Sequence, residues 1–264
     1  MLEAKNITYR VGNRELISQV SISFAQGKMH LIIGPNGAGK STLIKVLSRS
    51  LRPQEGTVLY DDVDIHRANE SDLAKRRAVL SQAVEVAFPL TVSEVVMMGR
   101  YPHFGGQPGP VDHEIAREMM EYFDVTEFAD RNYLTLSGGE RQRVNFARVL
   151  AQLWLSGHEP GSDLGCRYLF LDEPLTFLDI HHQIEFMKKV REFGSQPDVV
   201  TVGVVHDLNL AARFADQIVL MDKGHIVNSG SPNEVLTAER INQVFSVHPT
   251  FVQAANGSSY IVFD

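Results

Sequence analysis

The sequence predicts an α/β protein in which a mostly parallel sheet is preceded by a small antiparallel β unit and interrupted by a helical insertion. Three observations carry that prediction. Residues 168–171, 199–205 and 218–221 are continuous apolar runs, the pattern of strands covered on both faces. Residues 2–11 and 17–24 are short, β-branched and partly alternating, with a turn at Val11-Gly12-Asn13-Arg14. From Leu73 to about Leu155 the pattern becomes helical.

In chain order, residues 29–33 form an apolar run that stops at Gly34, and a helical pattern follows over 39–49. Residues 56–60 read as a strand entered through Pro53 and Gly56, and 79–81 as a short strand ending at Gln82. Thr91 and Glu94 have capping-box spacing and open a helix that ends near Gly99. Residues 101–110 are a Gly/Pro-rich loop, and 111–123 and 139–154 are amphipathic helices. Residues 155–167 form a polar loop, and 231–247 are helical with Asn and Pro punctuation. The expected organisation is one domain, its core drawn from 1–83 and 156–264 and its helical subdomain from 84–155.

Composition narrows the function. Of 264 residues, 44% are apolar and 22% charged, ordinary values for a globular protein. The formal net charge of −7 opposes a nucleic-acid coat, which needs surplus Lys and Arg. A single cysteine, Cys166, makes no internal disulfide and points to a reducing compartment. The opening residues, MLEAKNITYR, show no signal pattern, and no stretch approaches the roughly 20 apolar residues of a membrane span. Lys75-Arg76-Arg77 reads as a solvated face.

Gly34-Pro35-Asn36-Gly37-Ala38-Gly39-Lys40-Ser41-Thr42 fits G-x-x-x-x-G-K-[ST], after an apolar strand and before a helix. The glycines let successive N–H groups turn toward phosphate oxygens, and the helix start adds positive potential. Lys40 is placed for the β- and γ-phosphates, and the Ser41 hydroxyl for Mg²⁺. A second apolar strand runs into Asp172-Glu173-Pro174. Buried carboxylates are costly without a cation, so Asp172 is a candidate Mg²⁺ ligand, directly or through water. Glu173 is a candidate to orient the attacking water or accept its proton. Ser137-Gly138-Gly139-Glu140 is by itself a capping box, but two glycines weaken a helix start. They make sense where a phosphate must approach bare backbone.

Together these motifs resemble ATP-binding cassette (ABC) proteins, and the resemblance covers nearly the whole chain. Gln82 stands at the Q-loop glutamine, Glu173 at the catalytic glutamate, Leu178-Asp179 at the D-loop and His206 at the switch histidine. The resemblance implies an α/β P-loop NTPase (RecA-like) core that hydrolyses ATP with Mg²⁺, Gln82 reaching the metal and relaying to the insertion. It implies a head-to-tail homodimer, each ATP lying between one copy's Lys40 loop and the other's Ser137, Gly138 and Gly139. The family's adenine-stacking aromatic has Val11 at its place here. Tyr9, two residues earlier on the strand, is the alternative. The D-loop, Leu175-Thr176-Phe177-Leu178-Asp179, is bulkier than common versions.

One ATPase unit without a membrane segment is similar to importer ATPases. Residues 34–43, 134–154 and 171–183, with the loop of 155–167, resemble the ATPases of bacterial haemin importers, within the iron-siderophore and cobalamin class. That resemblance implies a chain peripheral to the cytoplasmic face of the inner membrane. It would work with two copies of a transmembrane permease and a periplasmic substrate-binding protein, and with no nucleic acid. A ferric-siderophore or cobalamin importer, or a soluble non-transport ABC ATPase, is the alternative. Residues 101–110 are either a permease contact or a plain surface loop. The His181-His182 pair is read as structural.

Overall fold

The structure is a computed structural model that describes residues 1–81, 88–154, 165–253 and 259–263. In chain order the strands and helices are β1 (Leu2–Val11), β2 (Arg14–Phe24), β3 (Lys28–Ile33), α1 (Lys40–Leu47), β4 (Glu55–Tyr60), β5 (Val63–Asp64), α2 (Glu70–Arg76) and β6 (Arg77–Leu80). The insertion follows with α3 (Val92–Met97), α4 (Pro110–Tyr122) and α5 (Gly138–Leu153). The chain then alternates β7 (Arg167–Asp172), α6 (Ile180–Gly194), β8 (Val199–Val204), α7 (Leu208–Phe214), β9 (Gln217–Asp222) and β10 (His225–Gly230). It closes with α8 (Pro232–Val235), α9 (Ala238–Phe245), β11 (Pro249–Gln253) and β12 (Ser259–Phe263).

The central sheet has the order β10-β9-β3-β8-β7-β6. Its strands pair in parallel except for β10, which lies antiparallel on β9. Both faces are covered, so alternation along one strand feeds two cores. In β7, Tyr168 and Phe170 enter one core while Leu169 and Leu171 enter the other. The first core also takes Ile44 and Leu47 of α1 and Ile7 and Val58 from the antiparallel sheet β2-β1-β4-β5. There Tyr60 stacks on Tyr168 with centroids 3.8 Å apart. The second core lies under the helical insertion, where Phe146 of α5 stacks on Phe186 of α6 at 3.6 Å. The α/β core, antiparallel unit and helical insertion are those the sequence predicts.

Several local expectations change. Arg76 and Arg77 are not a solvated face. Arg76 pairs with Asp61 and donates to the Cys166 carbonyl at 2.9 Å, while Arg77 pairs with Glu70 at 3.1 Å. The segment after Thr91 does not stop at Gly99 but continues as a 3₁₀ turn over Met98–His103. Arg100 of that turn is buried against Asp112 at 3.1 Å and donates to the carbonyls of Ala151 and Trp154. This knot fixes α4 and α5 to one another. The predicted loop of 155–167 lies outside the described residues up to 164.

The β11–β12 hairpin is tied to α7 by one side chain. The Asn209 amide donates to the Ile261 carbonyl at 3.0 Å, and its carbonyl oxygen accepts from the Ile261 N–H at 2.8 Å.

Candidate nucleotide site

The site begins where β3 gives way to α1. Gly34 and Gly39 of the connecting loop have φ of 151° and 98°, a region that side chains with a Cβ rarely enter. Space enforces the same choice: a Cβ on Gly34 would collide with the Met221 carbonyl, and one on Gly39 would lie 2.6 Å from that of Leu16. Helix α1 then starts at Lys40 without a side-chain cap. A helix start without such a cap offers its N–H groups and positive dipole end to an anion.

Lys40 is buried, and its ammonium donates to the carbonyls of Gly34 at 2.9 Å and Pro35 at 3.0 Å. Burial pulls its pKa below the ordinary lysine value, while the charges of Glu173 and Asp172 pull it back up. Asp172 ends β7, whose six residues are all buried, and Glu173 follows it. Among the described residues no hydrogen-bond donor reaches the buried Asp172 Oδ1. The chain then turns at Glu173 through a left-handed φ of 51°. This aims the carboxylate across to the end of β8, where Glu173 Oε1 meets His206 Nε2 at 2.9 Å. A cavity of about 240 Å³ opens beside this pair, lined also by Thr176, Gln183 and Asp207.

The second helix start that the sequence singles out is that of α5. Ser137 caps it, and Glu140 closes the box by accepting from the Ser137 N–H at 2.6 Å. That hydrogen bond holds the Glu140 carboxyl below its usual range. Gly138 and Gly139 lie against Phe177, which is 72% exposed. Asp179 caps α6 by accepting from the N–H of His182 at 2.9 Å, which lowers its pKa, and its Oδ1 also meets that imidazole.

Residues 17–154 match the sequence profile of the family described as ABC transporter. The chain is 40% identical over 265 residues to the hemin import ATP-binding protein HmuV of Escherichia coli O157:H7, covering 100% of both. It belongs to the ABC transporter family. A structure described as an inward-facing metal-chelate-type ABC transporter shares the fold with a TM-score of 0.81 at 23% identity, over 100% of this chain and 96% of that one. A dimeric ATP-binding cassette bound to ADP and phosphate aligns with a TM-score of 0.72 at 26% identity, over 88% of this chain and 99% of that one. Cassettes of this family bind nucleotide and form dimers. Among the described residues no helix is long and apolar enough to cross a membrane.

Within this ABC cassette the structure gathers Gly34 to Thr42, Asp172, Glu173 and His206 at the ends of β3, β7 and β8. Gln82 lies outside the described residues. Tyr9 and Val11 do not share one environment. The register shifts on either side of Tyr9 place their extra residues in β2, so the two positions differ in depth along β1 rather than in face. Tyr9 packs partly on the inner core while Val11 is 57% exposed. Sequence reasoning missed Gln142. Its amide donates to the Pro174 carbonyl at 2.7 Å in a buried setting. The available signal was its place four residues after Gly138, on the same helix face.

Proposed function

We propose that this chain is the ATP-hydrolysing subunit of an importer that takes up haemin across the bacterial inner membrane. The observation that carries the chemistry is the 2.9 Å contact of Glu173 Oε1 with His206 Nε2, within electrostatic reach of the buried Lys40. Haemin is supported by the hemin import ATP-binding relative, 40% identical along the full length.

In this reading the N–H groups of 37–42 and the Lys40 ammonium hold the β- and γ-phosphates. Glu173 orients the attacking water and takes up its proton, and His206 donates to the γ-phosphate. Ser41 and Asp172 fit a hard divalent cation, because the Asp172 oxygen is buried with no donor to satisfy it. Mg²⁺ bound there supplies charge neutralisation at the phosphates; the chain's own contribution is positioning. Tyr9 or Val11 stacks on adenine. The expected role of Gln82, reaching the metal and relaying to the insertion, falls outside the described residues.

Two copies close on two ATP molecules, with Ser137, Gly138, Gly139 and Asp179 of each copy facing the nucleotide bound by the other. Closure drives two permease subunits fed by a periplasmic binding protein. Tyr101, exposed on the 3₁₀ turn and edge-on to Phe104, fits a permease contact.

The test is reconstitution of the chain with its co-isolating permease in vesicles, with the cognate binding protein supplied. Hydrolysis and uptake stimulated by haemin, and by neither a ferric siderophore nor cobalamin, is the expected result. Selective stimulation by another cargo overturns the haemin assignment. No permease and no stimulation by any of the three overturns the importer reading.

A further inference from the structure

The loop from Glu173 to Asp179 is built under strain. Two of its non-glycine residues, Glu173 and Phe177, have left-handed φ values of 51° and 70°. Such backbone persists where neighbours over-determine it. Two glutamines from different helices do so. Gln142 of α5 donates to the Pro174 carbonyl at 2.7 Å, and Gln183 of α6 donates to the Leu178 carbonyl at 3.0 Å.

The same loop rests on the start of α5. A Cβ built on Gly138 would stand 3.4 Å from the Phe177 Cβ, and one on Gly139 would stand 3.6 Å from the Phe177 carbonyl oxygen. The Leu178 side chain lies 3.9 Å from that second position. The helix start at Ser137 and the turn that aims Glu173 are therefore fastened at two places, by packing at 138–139 and by a buried hydrogen bond at 142.

We propose that Gln142 is a positioning residue that makes the Ser137-Gly138-Gly139 helix start and the Glu173 turn move as one piece. This rests on the two-copy reading above, in which that helix start faces the ATP held by the second copy while Glu173 serves the chain's own ATP. Under that reading, seating one γ-phosphate on the helix start shifts α5, and the Gln142 amide carries the shift to Pro174 and so to Glu173. Each chain becomes a link from one nucleotide to the other, and two such links in a two-fold dimer make hydrolysis cooperative.

Gln142→Met keeps the volume and removes the donor. Gln142→Glu supplies a donor only when protonated, and burial raises that carboxyl's pKa. The experiment measures hydrolysis against ATP concentration for the full chain, affinity for a fluorescent ATP analogue, and ATP-driven dimerisation in a Glu173→Gln background. The unaltered chain is expected to show a Hill coefficient approaching about 2 for two coupled sites. In Gln142→Met, analogue affinity and dimerisation hold, while kcat falls about tenfold or more and the Hill coefficient drops to about 1. In Gln142→Glu, kcat and cooperativity relative to the unaltered chain recover as pH falls, which a merely structural role would not produce.

Unchanged kcat and cooperativity in Gln142→Met overturn the proposal. So does a Gln142→Glu to wild-type ratio that ignores pH, should the Met variant fail to fold. A Glu173→Gln chain that stays monomeric with ATP overturns the two-copy reading itself, and the coupling with it.

Discussion

The imidazole Nε2 of His206 lies 2.9 Å from Oε1 of Glu173, joining the residues that follow two adjacent parallel strands. Glu173 reaches it because its backbone is left-handed, so the carboxylate turns back across the strand ends. The pair is poised at the mouth of the Lys40 loop. A neutral amide at 173 keeps the shape and loses the base. Glu173→Gln is expected to lower turnover about 10²–10⁴-fold while ATP binding, read by fluorescent-analogue titration, is retained. Hydrolysis at the wild-type rate in that variant removes Glu173 from the chemistry.

Asp172 gives an opposite pairing of stability and activity. Its buried Oδ1 has no donor among the described residues, so removing the charge relieves a desolvation cost that outweighs the lost attraction to the Lys40 ammonium. Asp172→Asn is expected to melt at the same temperature as the parent chain or higher without nucleotide, and to lose hydrolysis. It should also lose the difference in nucleotide affinity between Mg²⁺ and EDTA buffers. A large drop in Tm would mean the carboxylate is held by contacts of its own.

Gly34 is irreplaceable for reasons of space. With φ at 151° and the Met221 carbonyl where a Cβ would stand, Gly34→Ala must displace β9 or the loop. The expected result is at least a tenfold loss of nucleotide affinity by calorimetric titration, about 1.4 kcal/mol. Affinity within twofold of the parent would show that the loop tolerates the shift.

The helical insertion depends on one buried charge pair. Arg100→Ala strands Asp112 and leaves the Ala151 and Trp154 carbonyls without that donor. Breaking a buried pair from one side costs about 3–5 kcal/mol, to be read from urea unfolding. Nucleotide affinity should change far less, because none of these atoms borders the Lys40 loop. A loss below about 1 kcal/mol would place the pair with weak surface bridges.

His30 sets part of the pH dependence of stability. Burial lowers its pKa below the ordinary 6.5, against the raising effect of its hydrogen bond to the Ala25 carbonyl. As pH falls below 6.5, the unfolded chain binds a proton there and the native chain does not. Native stability therefore declines across the window from 6.5 down to the depressed value. His30→Phe, which keeps an aromatic against Phe24, is expected to flatten the Tm-versus-pH slope between about pH 7 and 5. An unchanged slope would show that His30 protonates equally in both states.

What could be read from sequence was local. The loop of 34–42, the capping boxes at Thr91 and Ser137 and the apolar runs of β7, β8 and β9 announce themselves within a few residues. Contacts between distant residues did not. Arg76 looks like one of three surface charges until Asp61 and the Cys166 carbonyl are seen beside it. Gln142 looks like any helix polar residue until Pro174, 32 positions on, is found at its amide. The β11–β12 hairpin went unread because β11 is exposed at four of its five positions, so no in-and-out alternation marks it.

The Asn209 clip has a consequence at a distance. Asn209 sits in the first turn of α7, two residues past the cap Asp207 and three past His206. Both of its amide groups are spent on Ile261. A protease nick before residue 249 would strip the clip's partner, leaving the chain able to hold nucleotide and slower to turn it over. Limited digestion followed by a turnover assay is expected to show slower hydrolysis with nucleotide binding retained.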